Sequence, residues 1–244
     1  DISYARGWPW IWERYFDMIQ PLATSMPWMV GVGNHEIDNG GTDAFRATDG
    51  SDSGGECGVP THQRFPYFES PTLMWYTFDY GPVHFVVLSS EHQPAPQLAF
   101  FERDMSLLNR TLTPWVIVAI HRPLFTSSDR DGLERRLAHT WHALFVAHHV
   151  DVVLLAHDHY YERMCAVETE VSCSANRDRP VYILDGSAGA EFSPNATNAS
   201  ALTMYKDFDL WGYSRIEVRA DALTHTHYHT DNSVVDTLTL PASW

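Results

Sequence analysis

Three apolar runs, each closed by a residue able to bind a metal, constrain this chain more than any other feature. Trp28-Met29-Val30-Gly31-Val32-Gly33 leads into Asn34-His35, Trp115-Val116-Ile117-Val118-Ala119-Ile120 into His121, and Val152-Val153-Leu154-Leu155-Ala156 into His157-Asp158-His159. Such runs read as buried strands, and open α/β sheets gather their active sites at the carboxyl ends of strands. Asp1-Ile2-Ser3-Tyr4 adds a carboxylate and a phenol. Asp, Tyr, Asn and His supply oxygen and imidazole donors, which suit iron, zinc and manganese better than Cu(I) or an iron–sulfur cluster. Two adjacent ions are a common means of hydrolysing a phosphate ester.

Between and after these runs the pattern alternates. Trp8, Ile11, Trp12, Tyr15, Phe16 and Ile19 have helical spacing, as do Leu98, Phe101, Met105 and Leu108 within 94–109, and Leu133, Leu137, Trp141, Leu144 and Phe145 within 132–149. Residues 38–64 are polar and glycine-rich and read as a long loop. Residues 75–88, with Gly81-Pro82 between two β-rich stretches, read as a hairpin. Beyond residue 160 the chain turns to strands at 181–184, 213–218 and 224–229. Strands alternating with helices, then strands alone, predict a layered α/β domain with mixed sheets.

The length of 244 residues fits one domain with an ample core. The formal charge of −15, from 16 basic and 31 acidic residues, argues against a nucleic-acid partner. It also means that a phosphate site must be positive locally, as bound cations would make it. No apolar run approaches the ~18 residues of a transmembrane helix. The chain opens on Asp1 in mid-motif and reads as a fragment or processed piece, which leaves room for a targeting segment upstream. Of the three cysteines, Cys165 and Cys173 flank a turn-like stretch and are placed to bridge a hairpin, leaving Cys57 odd. Three sequons, at Asn109, Asn195 and Asn198, favour a secreted glycoprotein in an extracellular or vacuolar–lysosomal compartment.

Alone, each candidate site carries a plain alternative. His157 and His159 at i, i+2 can reach two neighbouring ions from one loop or be ordinary surface histidines. His121, stopped by Pro123, is a strand-tip ligand or a structural hydrogen-bonder. Asn34 can ligate through its amide oxygen, and His35 can hold a phosphate or protonate a leaving group. His225, His227 and His229 stripe one strand face and either form a three-His site or face water. Glu91-His92 follows a strand and either approaches the site or does not.

Taken in order, the blocks are specific. Gly33-Asn34-His35-Glu36, Ala119-Ile120-His121-Arg122-Pro123 and Ala156-His157-Asp158-His159-Tyr160-Tyr161-Glu162-Arg163 resemble successive blocks of the purple acid phosphatases, two-metal enzymes of the calcineurin-like metallophosphoesterase superfamily. Asp1-Ile2-Ser3-Tyr4 resembles their G-D-x-x-Y block without its Gly, and the stretches 75–92 and 181–190 are similar too. The resemblance implies an α/β/β/α sandwich. It implies a metallophosphoesterase domain over 1–244 that lacks its first strand or strands and has a β-rich segment at about 181–244. It also implies a ligand set: Asp1 bridging two ions, Tyr4 and His159 on Fe(III), and Asn34, His121 and His157 on a divalent Zn, Mn or Fe. His35 would contact the phosphate or assist the leaving group.

That reading makes the protein an acid phosphatase hydrolysing small phosphate monoesters with a metal-bound hydroxide. The alternatives are a phosphoesterase for diesters or nucleotide pyrophosphates, and a non-catalytic glycoprotein of the same fold. Two departures bear on it. The family's Asp-x-Gly block is absent, so residues 1–244 alone are expected to fold poorly and be weakly active. Where plant-type members carry a His pair after the His121 block, this chain has Arg130 and Asp131, and Arg130 is a candidate phosphate contact.

Overall fold

A computed structural model describes residues 1–37, 52–128, 133–175, 178–193, 199–219 and 221–242. The chain divides into two compact units, residues 1–76 with 87–101, and residues 77–86 with 102 onward.

In the first unit the aromatic-rich segment forms α1 (Pro9–Ala23), with Pro9 in the first turn, where a missing N–H costs nothing, and Pro21 in its last turn. Trp12 is its one buried residue, while Trp8, before the helix, is exposed. Trp12 donates from its indole to Glu56 Oε1 at 3.0 Å, and Phe16 packs on Phe65. The expected loop over 38–64 is in part helical: α2 spans Val59–Arg64, with Pro60 again in the first turn. Residues 38–51 lie outside the described ones.

The run Trp28–Gly33 does not form the expected strand. Its backbone is served by tyrosine hydroxyls instead of a neighbouring strand. Tyr67 Oη accepts from the Val30 N–H and donates to the Trp28 carbonyl, and Tyr76 Oη donates to the Val30 carbonyl at 2.9 Å. Trp28 and Val30 are half-buried, and side chains partner their backbone groups as a ladder would elsewhere. The first unit also carries the start of α3 (Pro94–Leu107).

The second unit is built on an eight-stranded mixed sheet. Its strands are β1 (Tyr76–Tyr80), β2 (Val83–Val87), β3 (Trp115–Ala119), β4 (Val152–Leu155), β5 (Tyr161–Thr169), β6 (Ser172–Cys173), β7 (Val181–Asp185) and β8 (Thr203–Asp207). The order is β1-β2-β3-β4-β7-β5-β6, with β8 also on β5. β3, β4 and β7 run parallel, and β5 runs antiparallel to β7 and β8. The long crossover from β3 to β4 contains α4 (Leu133–Ala147), with Leu137, Trp141 and Phe145 buried as their spacing predicts. The disulfide Cys165–Cys173 joins β5 to β6, and Cys57 is free and exposed.

A separate antiparallel sheet has the order β11-β10-β9, from β9 (Gly212–Val218), β10 (Ala222–His229) and β11 (Val234–Pro241). The two sheets share one core. Val83, Trp115, Ile117, Val152, Tyr161, Val181 and Ile183 of the large sheet meet Leu223, Ile216, Val218, Leu238 and Leu240 of the small one. The continuous apolar runs of β3, β4 and β7 follow from burial of parallel strands on both faces.

The β1–β2 hairpin is pinned by His84, whose Nδ1 lies 2.6 Å from Asp79 and Nε2 2.7 Å from Asp104 of α3. Burial alone would push the His84 pKa down, but the bonds to Asp104 and Asp79 outweigh it and raise it. A raised folded pKa adds stability that is complete below about 6.5, the unfolded value, and is lost as pH rises through the folded one. With Asp79 largely exposed, His84→Asn is expected to cost only about 1 kcal/mol at pH near 6. Denaturant midpoints of both proteins across pH should converge on the alkaline side. A pH-independent gap would show that packing, not charge, sets the cost.

Candidate metal centre

In the first unit Asp1, Tyr4, Asn34 and His35 form one hydrogen-bonded group. Asp1 Oδ1 accepts the His35 backbone N–H at 3.0 Å and Oδ2 accepts the Tyr4 hydroxyl at 3.0 Å, with the Tyr4 and His35 rings 4.1 Å apart. Asn34 donates from Nδ2 to Asp52 Oδ2 at 2.9 Å, which orients its amide. His35 Nδ1 lies 3.1 Å from the Asp52 carbonyl, so it carries the proton and donates. Fully buried Glu36 accepts the Ile2 and Gly33 N–H groups and ties the two segments together.

Burial sets the protonation of this group. Burial, and then the charge of Glu36, push the Tyr4 phenol up to about 12, so without an ion it stays protonated and donates to Asp1. Burial lowers the His35 pKa, although its bond to Asp52 opposes the shift. Tyr4 is held at φ 53°, a left-handed conformation that costs a non-glycine residue of order 1 kcal/mol and is frequent at functional sites.

The second unit places His121 two residues after β3 and the His157–His159 turn between β4 and β5. His121 Nε2 and His157 Nδ1 face each other at 3.1 Å. Two imidazoles on one ion at about 2.0–2.1 Å would have their nitrogens roughly 2.9–3.3 Å apart, so the pair fits a shared cation. His157 Nε2 accepts from Arg122 at 2.8 Å, which leaves its proton on Nδ1 in the cation-free state. An ion would displace that proton to Nε2 and require the guanidinium to turn.

His157 sits at φ 70°. The turn is braced from below by Gly186, where a Cβ would lie 2.0 Å from the Asp158 carbonyl oxygen, so only glycine fits. Asp158 is fully buried and accepts from Thr126 Oγ1 at 2.6 Å. Glu162, also buried, accepts from Ser127 and from Tyr160. His159 donates from Nδ1 to the Glu191 carbonyl at 2.7 Å. Glu36, Asp158 and Glu162 stood inside the quoted sequence blocks, whereas Asp52 and Glu191 lie too far along the chain for any local signal.

Other candidates fall elsewhere. His225 and His227 are fully buried rather than facing water, stacked on the Tyr161 ring at 6.0 and 3.9 Å. Nor do the three histidines form one group: His227 Nδ1 lies 3.3 Å from Asp185 and His229 Nε2 lies 2.9 Å from Asp207. His92 donates to the Pro71 carbonyl and accepts from Ser89, so it holds loops together, while Glu91 accepts from Ser90. Asn109 is exposed, with its Oδ1 accepting the Thr111 N–H. Arg130, Asn195 and Asn198 lie outside the described residues. No described helix is long and apolar enough to cross a membrane.

Comparison with known proteins gives the family. Residues 1–161 match the calcineurin-like phosphoesterase family, and residues 179–237 match the iron/zinc purple acid phosphatase-like protein C family. The chain is 33% identical over its whole length to a probable inactive purple acid phosphatase of Arabidopsis thaliana, of which it spans 42%. It is 29% identical over 98% of its length to a nucleotide pyrophosphatase/phosphodiesterase of Hordeum vulgare, of which it spans 70%. The structure of a purple acid phosphatase from yellow lupin (Lupinus luteus) seeds superposes with a TM-score of 0.90 at 27% identity, over 99% of this chain and 45% of that one. With its two-sheet fold and these matches along its length, the chain belongs to the calcineurin-like phosphoesterase family and carries a purple acid phosphatase-like C segment.

Proposed function

We propose that this chain carries the catalytic residues of an acid phosphatase that hydrolyses phosphate monoesters at a binuclear metal centre. The observation that carries the reading is the facing pair of His121 Nε2 and His157 Nδ1 at a spacing one cation would bridge. The donor types add to it. Tyr4 with His159 would hold Fe(III), Asn34 with His121 and His157 would hold a divalent Zn, Mn or Fe, and Asp1 would serve both. When bound, the two ions would supply positive charge to the phosphate and a strong nucleophile.

The protein's own groups do the rest. Asp52 turns the Asn34 amide so that its oxygen is the ligating atom. The Asp52 carbonyl fixes the proton on His35 Nδ1, leaving Nε2 to contact the phosphate or pass a proton to the departing oxygen. Against a formal charge of −15, only a cationic centre would draw phosphate in. The three sequons and the Cys165–Cys173 bridge support a secreted or vacuolar–lysosomal location.

A second reading, hydrolysis of diesters or nucleotide pyrophosphates, is favoured by the barley relative's activity. Metal analysis, a visible spectrum, and hydrolysis of p-nitrophenyl phosphate against its bis-ester decide between them. One iron and one divalent ion, a visible Tyr-to-iron band and faster monoester cleavage are expected. Two zinc ions without colour would remove the ferric assignment, and faster diester cleavage would favour the second reading. Full metal loading with neither activity would point to a non-catalytic protein.

A further inference from the structure

We infer that Trp211 is a positioning residue for His159, acting through the loop that receives the His159 ring. The inference builds on the reading of His159 as a metal ligand, but its structural part stands on hydrogen bonds alone.

His159 meets the segment 186–193 at three points. Its backbone N–H donates to Ser193 Oγ at 2.9 Å, its carbonyl accepts the Ser193 N–H at 3.2 Å, and its Nδ1 lies 2.7 Å from the Glu191 carbonyl. A carbonyl only accepts, so Nδ1 bears the proton and Nε2 is the atom that can offer a lone pair. The tautomer and the ring direction of His159 therefore depend on where the Glu191 carbonyl points.

The segment has no helix or strand of its own, Glu191 is exposed, and Gly189 takes φ 125°. Gly186 ties one end to the Tyr160 carbonyl at 3.0 Å, and Ser193 ties the other. Between them the Trp211 indole N–H donates to the Ala190 carbonyl at 2.9 Å. Ala190 and Glu191 are consecutive, so fixing the first carbonyl restricts the rotation that aims the second.

Trp211 is well placed to act as the fixed end. Its carbonyl accepts the Thr230 N–H at 2.9 Å, and the next residue, Gly212, donates to the Ser187 carbonyl at 3.0 Å and opens β9. The small sheet thus holds the backbone that carries the indole, while the loop has no regular structure of its own. Trp211 is 49% exposed, so burial is not what this large side chain mainly supplies.

Hydrogen bonds to the outer nitrogen of a ligating histidine are typically worth 10–100-fold in metal affinity, and Trp211 acts one step further out. Trp211→Phe, which keeps a ring and removes the donor, is expected to weaken binding at the His159 ion by about 3–10-fold. The isosteric benzothienylalanine at 211, which changes only N–H to sulfur, should do the same and guards against a folding defect in the first variant.

Two measurements suffice. Nitrogen-15 shifts of the His159 ring in metal-free protein should report Nδ1–H in the parent and a mixed tautomer in both variants. Calorimetric titration with Zn(II) should show the affinity loss at one of two sites. Unchanged ring shifts and affinity in both variants would overturn the inference. If His159→Ala left both zinc sites intact, the ligand reading of His159 would fall, while the ring shifts would still decide whether Trp211 sets its tautomer.

Discussion

His121→Ala and His157→Ala are each expected to lose the divalent ion and phosphoesterase activity together, whereas His35→Ala keeps its metals and turns over about 10²–10⁴-fold more slowly. The distinction follows from what each ring touches. His121 and His157 direct ring nitrogens at each other across 3.1 Å, and removing either takes away one proposed ligand of the divalent ion. His35 offers its backbone N–H to Asp1 and its Nδ1 to the Asp52 carbonyl, so its ring hangs from the polypeptide and its Nε2 is turned to other duty. The backbone bond to Asp1 survives the Ala substitution, which is why metal should stay. Metal content and kcat measured on all three variants separate ligand from proton donor. Loss of metal from His35→Ala as complete as from His121→Ala would place His35 among the ligands and undo the assignment.

The candidate site could be read from the sequence because its proposed ligands lie in short blocks. Strands β3 and β4 are continuous apolar runs, and a His just past such a run falls at the sheet's carboxyl edge whatever the rest of the chain does. The segment before Asn34 misled for a physical reason. Its backbone bonds are made by Tyr67 and Tyr76, some forty residues on, and a hydrophobic run does not say who will satisfy it. The histidine stripe misled differently. Period-two spacing put His225 and His227 on one face, but only the packing of one sheet on the other shows that this face, shared with Leu223, is the inner one. Burial then pushes His225 down to about 4 and keeps it neutral. Asp52, Glu191 and Trp211 act on candidate ligands from 18, 32 and further residues away, at distances where sequence spacing holds no information.

Asp236→Ala is expected to destabilise the second unit by about 3–5 kcal/mol, the usual cost of removing one partner from a buried ion pair. Asp236 lies on β11 with its side chain 6% exposed, facing Arg163 of β5 at 14%. Arg163 reaches it with two bonds, Nε to Oδ2 at 2.6 Å and Nη2 to Oδ1 at 2.9 Å, and the Tyr161 hydroxyl adds a third at 2.7 Å. The three bonds cross from one sheet to the other beside the core. Truncation leaves a guanidinium and a phenol without their shared acceptor, and that desolvation, more than the lost attraction, sets the cost. Burial would raise the Asp236 pKa, but the bonds to Arg163 and Tyr161 outweigh it and hold it below the ordinary carboxylate value. A depressed folded pKa gives stability that is present above about 3.9 and lost as pH falls through the folded value, so the penalty should shrink in strong acid. Urea unfolding of Asp236→Ala, Arg163→Met and the double variant tests this. The double variant, which no longer buries an unpaired charge, should recover much of the loss. A single-variant cost below about 1 kcal/mol would mean that water reaches the pair and that it behaves as a surface salt bridge.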